Sequence, residues 1–482
     1  MNNLESTSLT VHLQKNLDII LKSFNETSDL KIRSFKIKSE VIRNAAIIYI
    51  DGIVDTKNIQ EYLLSPLFHV HSLDSMGELL DFHLSLIDAN LSSRIAEING
   101  ELLKGKVLLT IDGFSEGILA DSSDWQMRAL TEPDTQRSAR GPMIGFTEQL
   151  KVNVNLLRNM IQSTTFNVES IQMGTDSKTS VAIIYLEKFV EQKVLEETRK
   201  KINEIDVTYL LEARVIEDAL EEKKTLFPLV FTCERPDVSV SALFEGRVVI
   251  LVNGVPYSLI VPALFIHYFQ QPEEYVLKTG RFFNRIARFF LWFLSILLMA
   301  IYVTMVRFHH HWIPHPFSEK LLTQSDTVFP ILLEMSFLVF LFDILMEASL
   351  RIPKNTILLV SLIGAVIVGQ TAVEAKLVHQ LSLIVAGISV LSSINLMAGG
   401  LGGAIRTIQI LFTILGYFFG LKGILIGFFI VTVYMASLKS VGVPYLTPFI
   451  PFRYREMKDV LFRGDLRKLI NSKHTYPYKD RK

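Results

Sequence analysis

The chain has 482 residues, 49% of them hydrophobic, with 49 basic residues balanced by 49 acidic ones and a mean hydropathy of +0.32. That length exceeds one domain, the apolar content is too high in places for a wholly soluble protein, and a net charge of zero offers no basic excess for binding nucleic acid. A single cysteine, Cys233, excludes an intramolecular disulfide framework and a cysteine-rich zinc site. Nearly all long uncharged runs fall after Phe289, so a soluble half is expected to precede a membrane half.

Residues 1 to about 34 read as a helix, because Leu9, Val11, Leu13, Leu17, Ile20 and Leu21 recur at near-helical spacing before a polar stop at Asn25. No basic patch precedes an apolar core here, so no cleavable signal peptide is expected and the first span acts as the insertion signal. Strand signals follow. Ala45 to Asp51 is a short apolar run ending at Asp51-Gly52, with a charged helical segment through Leu64 behind it, and Val107 to Ile111 is a second run ending at Asp112-Gly113. The same two signals return in order at Val181 to Glu187 and at Val248 to Gly254, with offsets differing by five residues, which points to a duplicated α/β unit.

Between the copies lies the most heavily charged and punctuated stretch of the chain, including Arg128, Glu132, Pro133, Gln136, Arg140, Gly141 and Pro142. Its prolines and Gly141 break any helix, and its mixture of arginines with Glu132 and Glu148 suits an interdomain clasp or an oligomer contact. A helix with Leu150, Asn153, Leu157 and Arg158 comes next, and Glu234-Arg235-Pro236-Asp237 forms a second charged turn. No nucleophile-base constellation, phosphate loop, dinucleotide fingerprint or metal-ligand spacing accompanies these residues, so catalysis is not expected.

The membrane half opens after Lys278, Arg281, Arg285 and Arg288, whose charge holds that side, and hence the soluble half, in the cytoplasm. Spans are expected over Phe289 to Val306, Asn355 to Val378 and Leu381 to Met397, with a hydrophobic hairpin from Ile408 to Met435 around Lys422. Phe329 to Ala348 either spans with Glu334, Asp343 and Glu347 facing a wet interior or lies flat at the interface. A basic tail from Arg453 returns to the cytoplasmic side, and the histidines from His309 to His315 fall in an external loop rather than a metal site. Within Asn355 to Val378, Ile363, Ile367, Gln370 and Glu374 share one helical face. Two readings stand for that face: the lining of a pore, or a packed span with Gln370 and Glu374 at the membrane boundary.

Glu132-Pro133, Arg140-Gly141-Pro142, Phe146, Glu148, Asn153 and Leu156-Leu157-Arg158 together resemble the signature of the A subunit of spore germinant receptors. The resemblance continues through Glu234-Arg235-Pro236-Asp237, Gly246-Arg247, Val261-Pro262, Gln271 to Tyr275 and, in the membrane half, Gly369-Gln370 with Ala372 to Ala375. It covers nearly the whole chain. Departures are Gln136 in place of an acid, Asn155 in place of a small apolar residue, and Leu358, Leu359, Ser361 and Ala365 at polar or glycine positions.

The resemblance implies a multi-pass protein of the spore inner membrane that works with a transporter-like B subunit and a lipoprotein C subunit. It also implies that A subunits assemble into a ring, proposed as a pentamer, acting as a nutrient-gated ion channel; at the mouth of such a pore a ring of Glu374 carboxylates would favour cations. The alternative is a multi-pass solute permease with a cytoplasmic regulatory domain. The expected architecture is a cytoplasmic α/β half of two related subdomains, residues 1–125 and 165–280, joined by a charged clasp at 126–164. An all-α multi-pass transmembrane domain at 281–440 and a basic cytoplasmic tail at 441–482 complete it.

Overall fold

The computed structural model describes residues 7–38, 41–70, 73–84, 86, 88–123, 132–133, 136, 142–221, 225–270, 280–309, 327–351, 369–394, 400–453, 457 and 460. The chain divides into two compact units. One is built from Met1–Lys223 with Thr232–Pro262, the other from Lys224–Phe231 with Ala263–Ser472.

The first unit holds two five-stranded sheets. Strands β1 (Leu30–Lys38), β2 (Ile42–Ile50), β3 (Ala89–Ser92), β4 (Lys106–Ile111) and β5 (Gly117–Asp121) lie in the order β1-β2-β4-β5-β3. Strands β6 (Phe166–Met173), β7 (Thr179–Leu186), β8 (Phe231–Cys233), β9 (Val248–Val252) and β10 (Ser258–Val261) lie in the order β6-β7-β9-β10-β8, the same pattern one copy later. Register repeats too: Ala45 faces Ile111 and Ala46 faces Thr110 in the first sheet, as Val181 faces Val252 and Ala182 faces Leu251 in the second. The central strands are continuous apolar runs because both of their faces are covered, which is why Ile47, Ile48, Leu108 and Leu109 are all fully buried.

Each sheet is entered by an equivalent helix, α1 (Leu13–Ser23) or, after the intervening α2 (Ile95–Leu103), α3 (Leu150–Met160). The entries match atom by atom. Asn16 accepts from the Thr10 amide at 2.8 Å and donates to the Thr10 carbonyl at 2.6 Å, and Asn153 does the same with Thr147 at the same two distances. The amides of Gly113 and Gly254 close the same turn onto the carbonyls of Val11 and Glu148.

The helix expected over residues 1 to 34 is shorter than its pattern suggests. It ends at Ser23, Asn25 and Glu26 take positive φ of 51° and 55°, and β1 begins at Leu30. Two consecutive left-handed residues cannot continue an α-helix, and the charged side chains of Lys31, Arg33, Lys36 and Lys38 then fall on exposed positions of a strand.

The second unit is helical. Its main elements are α4 (Gly280–Phe308), α5 (Ile331–Arg351), the short α6 (Gly369–Glu374), α7 (Gln380–Ile394) and α8 (Gly402–Ser437). Among the described residues, two helical stretches are long and apolar enough to cross a membrane, Phe283–Phe308 and Gly402–Ser437. Met299, Val303, Met335, Leu338, Val339, Ala372, Val378 and Ala386 form a shared core. The span expected over Asn355 to Val378 has residues 355–368 outside the described set; its visible end stops at Glu374, where Lys376 takes φ 58° and turns Val378 into that core. The stretch Phe329 to Ala348, expected either to span or to lie at the interface, falls largely in α5, with Glu334 wholly buried and Met335 and Leu338 in the core.

Gly420 reverses α8. It adopts φ 61° and ψ −147°, a conformation open essentially to glycine alone. A β-carbon at Gly427 would lie 2.6 Å from Leu415 Cδ1, whereas twelve residues of straight helix would hold the two backbones about 18 Å apart. The outgoing arm follows α4: Gln409 Nε2 is 3.0 Å from Met299 Sδ, Thr304 Oγ1 donates to the Gly416 carbonyl at 3.1 Å, and a β-carbon at Gly420 would meet the Phe308 ring at 3.3 Å. The returning arm brings Phe428 back beside Phe293, with ring centroids 6.2 Å apart. Both ends of the hairpin therefore lie at the end of this unit where α4 begins.

The matched asparagines give a first test. Asn16→Ala and Asn153→Ala should each destabilise their own entry helix by about 1–3 kcal/mol, because each strands two backbone groups of a threonine. Amide hydrogen exchange should then rise in α1 or α3 respectively, and equal loss in both helices from either substitution would contradict the local role.

Candidate functional site

One face of α3 carries Lys151, Asn155 and Arg158, spaced four and three residues apart, and all three reach chain from the first sheet. Lys151 Nζ pairs with Asp51 Oδ1 at 2.9 Å, and Asn155 Nδ2 donates to the Gly52 carbonyl at 2.6 Å. Gly52 has φ +96° and no room for a side chain, since a β-carbon there would fall 2.6 Å from Asn155 Nδ2. Arg158 is 1% exposed and donates to Asp29 Oδ2 from Nη2 at 2.6 Å and from Nε at 3.1 Å. Thr27 Oγ1 donates to the other oxygen, Asp29 Oδ1, at 2.6 Å, and the Phe166 ring covers the guanidinium at 4.4 Å.

Just before β1 the chain also pairs with β6. The Ser28 amide donates to the Val168 carbonyl at 2.9 Å, and the Val168 amide donates to Thr27 Oγ1 at 3.0 Å. Thr27, Ser28 and Asp29 thus join the two sheets by backbone and side chain together. They carry no sequence motif.

Of the residues expected in the clasp, Arg158 lies on this joint. Arg128, Arg140 and Gly141 lie outside the described residues. Pro133 is buried, whereas Glu132, Pro142 and the Glu148 side chain are exposed, and Glu148 contributes its carbonyl to Gly254. Arg235 is buried within the second-sheet region, where its Nη2 and Nε hold Asp237 at 2.8 and 3.0 Å, and the Glu234 carbonyl accepts from the Phe146 amide at 2.8 Å. Gln136 explains its own departure from an acid: Nε2 donates to the Thr232 carbonyl at 3.1 Å while Oε1 accepts from the Glu234 amide at 3.2 Å. An ionised carboxylate accepts only and would leave the Thr232 carbonyl without that donor.

Cys233 is buried beside Gln136, and loss of solvent pushes its thiol up to about 12. Among the described residues no group of three or more His, Cys, Asp or Glu is placed to hold a metal ion.

In the helical unit, Ile363 and Ile367 lie outside the described residues, while Gln370 and Glu374 are exposed on α6 and Gly369 and Ala372, on its other side, are buried. Charges deeper in this unit are matched. The Glu334 carboxylate accepts from the His379 amide at the start of α7, where a helix N-terminus favours an acid. Arg406 pairs with Asp343 at 2.6 Å and donates to Gln409 at 2.8 Å.

Two of the basic residues that precede the first expected span are buried in this unit. Arg285 and Arg288 turn inward, 1% and 8% exposed, and Arg288 donates to the Phe269 carbonyl at 2.8 Å. Backbone carbonyls at the base of this unit need donors, and arginine supplies them from a helix whose outer face is apolar.

Arg158→Ala should cost about 3–5 kcal/mol, because it leaves the Asp29 carboxylate buried without its partner. Replacing both, Asp29→Leu with Arg158→Met, should recover most of that loss. Exchange of the α3 amides reports both, and a single variant as protected as the parent would show that the pair does not hold the joint. A maleimide at pH 8 should leave Cys233 unmodified in the folded protein and modify it in denaturant; rapid labelling of the native chain would contradict its burial.

The model of the Bacillus/Clostridium GerA spore germination protein family matches residues 18–475. Spore germination protein KA of Bacillus subtilis (strain 168) is 34% identical over 457 residues, covering 94% of this chain and 84% of that protein. Uncharacterized membrane protein YfkQ of the same strain is 30% identical, covering 95% and 90%, and spore germination protein B1 is 29% identical, covering 94% of each. Among solved structures, the N-terminal domain of the A subunit of the Bacillus megaterium spore germinant receptor GerK3 matches at 31% identity, covering 54% of this chain and 98% of that one, with a TM-score of 0.43. A match over nearly the whole chain identifies it: the protein belongs to the GerA family of spore germinant receptor A subunits.

Proposed function

We propose that this chain is the A subunit of a nutrient receptor in the spore inner membrane, and that several copies surround an axis to form an ion channel opened by nutrient. The observation that carries this reading is the exposure of Gln370 and Glu374 together on α6, within an otherwise apolar helical unit. Hydrocarbon penalises both groups, so they call for water, and a ring of copies around a wet axis supplies it.

In this reading the helical unit crosses the membrane several times, with the α/β half and the basic tail both in the spore core. The hairpin supports it, because α8 returns the chain to the end of the unit where α4 starts, as an even number of crossings requires. Partners would be a transporter-like B subunit and a lipoprotein C subunit, with further copies of this chain, as many as five in all, in the ring. Nutrient recognition would then lie in the B subunit, and no enzymatic step is assigned to this chain.

Ile363→Ala tests the channel. If Ile363 and Ile367 form a dry apolar girdle, widening it should release potassium from dormant spores without nutrient while receptor abundance stays at the parental level. Loss of abundance with no leak would assign Ile363 to helix packing and refute the pore on this face.

A further inference from the structure

The first turns of α4 are inside out. Arg285 and Arg288 point inward, while Phe283 is 72% exposed, Ile286 40%, Phe290 63% and Phe293 39%. These four recur every three or four residues and so form one outward stripe. On the same helix Ile301 and Phe308 are also exposed, at 40% and 41%. A second exposed apolar segment lies beside the stripe: Phe449 packs edge-on against Phe289 with centroids 6.3 Å apart, and beyond it Ile450 is 44% exposed, Phe452 69%, and Arg453 is exposed next in sequence.

We propose that Phe283, Ile286 and Phe290 of α4, with Ile450 and Phe452, form an aromatic collar seated in the interfacial layer of the lipid bilayer. Arg453 stands at its rim, within reach of lipid phosphates. Water would leave this stripe exposed at a cost, and buried arginines under outward phenylalanines reverse the usual arrangement of a soluble helix. Length agrees. A helix of 29 residues extends about 43 Å, against a hydrocarbon core of about 30 Å and a full bilayer of about 40–45 Å, so its first turns fall among the headgroups. Phenylalanine flanked by arginine is the composition of a segment lying at that depth. Continuity favours lipid over a protein partner, because the collar runs on into the exposed stripe of the apolar helix itself. The proposal rests on the membrane reading of the helical unit and is independent of channel activity.

Full-length protein carrying Cys233→Ala and one new cysteine, Phe283→Cys or Phe452→Cys, is labelled with a nitroxide and placed in vesicles of phosphatidylglycerol and phosphatidylethanolamine. Collision with oxygen, which concentrates in lipid, is compared with collision with a water-soluble nickel chelate. Phe429→Cys, 69% exposed on α8, serves as the lipid control, and Val41→Cys, 62% exposed in the first unit, as the aqueous one. Both collar positions should give an oxygen-to-nickel ratio several-fold above that of position 41 and below that of position 429. Ile286→Cys and Ile450→Cys repeat the measurement should either phenylalanine variant fail to fold. A ratio equal to that of position 41, with position 429 still in lipid, overturns the collar alone. Shielding from both reagents overturns it in favour of a protein partner, and a water-like ratio at position 429 removes the membrane reading beneath it.

Discussion

A buried guanidinium has to be met by donors' partners on every side, and this requirement governs how the two sheets of the α/β unit are joined. Arg158 finds one carboxylate, Asp29, whose other oxygen is already occupied by Thr27, so the position of α3 is tied to the chain entering β1. The pair adds little net stability of its own, since desolvating both charges offsets most of their attraction. What it contributes is selectivity. Any displacement of α3 along the first sheet uncouples two charges at once, so intermediate positions are disfavoured and the joint tends towards being made or broken.

That selectivity is absent from the shared plan of the two copies. Asn16 and Asn153 make the same bonds at the same distances, yet the residue of α1 equivalent to Arg158 is Leu21, and the acid has no counterpart either. The common bonds build each sheet; the unshared ones join the two. The helical unit shows the same economy of charge, with Glu334 placed at a helix N-terminus, Asp343 matched by Arg406, and the arginines of α4 spent on backbone carbonyls.

Much of the sheet core was legible because continuous apolar runs ending in Asp-Gly or Asn-Gly are strong local signals: Val107 to Ile111 lies in β4, and Val248 to Val252 is its counterpart β9. The first helix ends earlier than its pattern implies, because the apolar periodicity of Leu9 to Leu21 says nothing about the left-handed pair at Asn25 and Glu26. The hairpin in α8 is legible as a long apolar run interrupted by Lys422, although that lysine marks the turn only approximately and Gly420 makes it. Asp29 and Thr27 were not legible, since a single acid before a strand acquires meaning only from a partner 129 residues away. The inward turn of Arg285 and Arg288 was equally hidden, because charge counts do not reveal which way a side chain faces.

The reversal at Gly420 has a consequence for biosynthesis. Apart from Arg406, which is matched, the two arms of α8 carry a single charge, Lys422, and it is exposed beside the turn. In the proposed membrane reading, a reversed pair of apolar arms would enter the bilayer as a loop, and that ammonium would cross hydrocarbon once while the chain is being made. Moving a lysine past the bilayer centre costs about 2.5–3.5 kcal/mol on insertion scales, while each strongly apolar residue returns about 0.3–0.6 kcal/mol. The run of leucines, isoleucines and phenylalanines on either side outweighs the toll several times over, which makes translocation of the tip downhill and its return uphill. In that reading the hairpin, once inserted, is held in place by its own apolar arms.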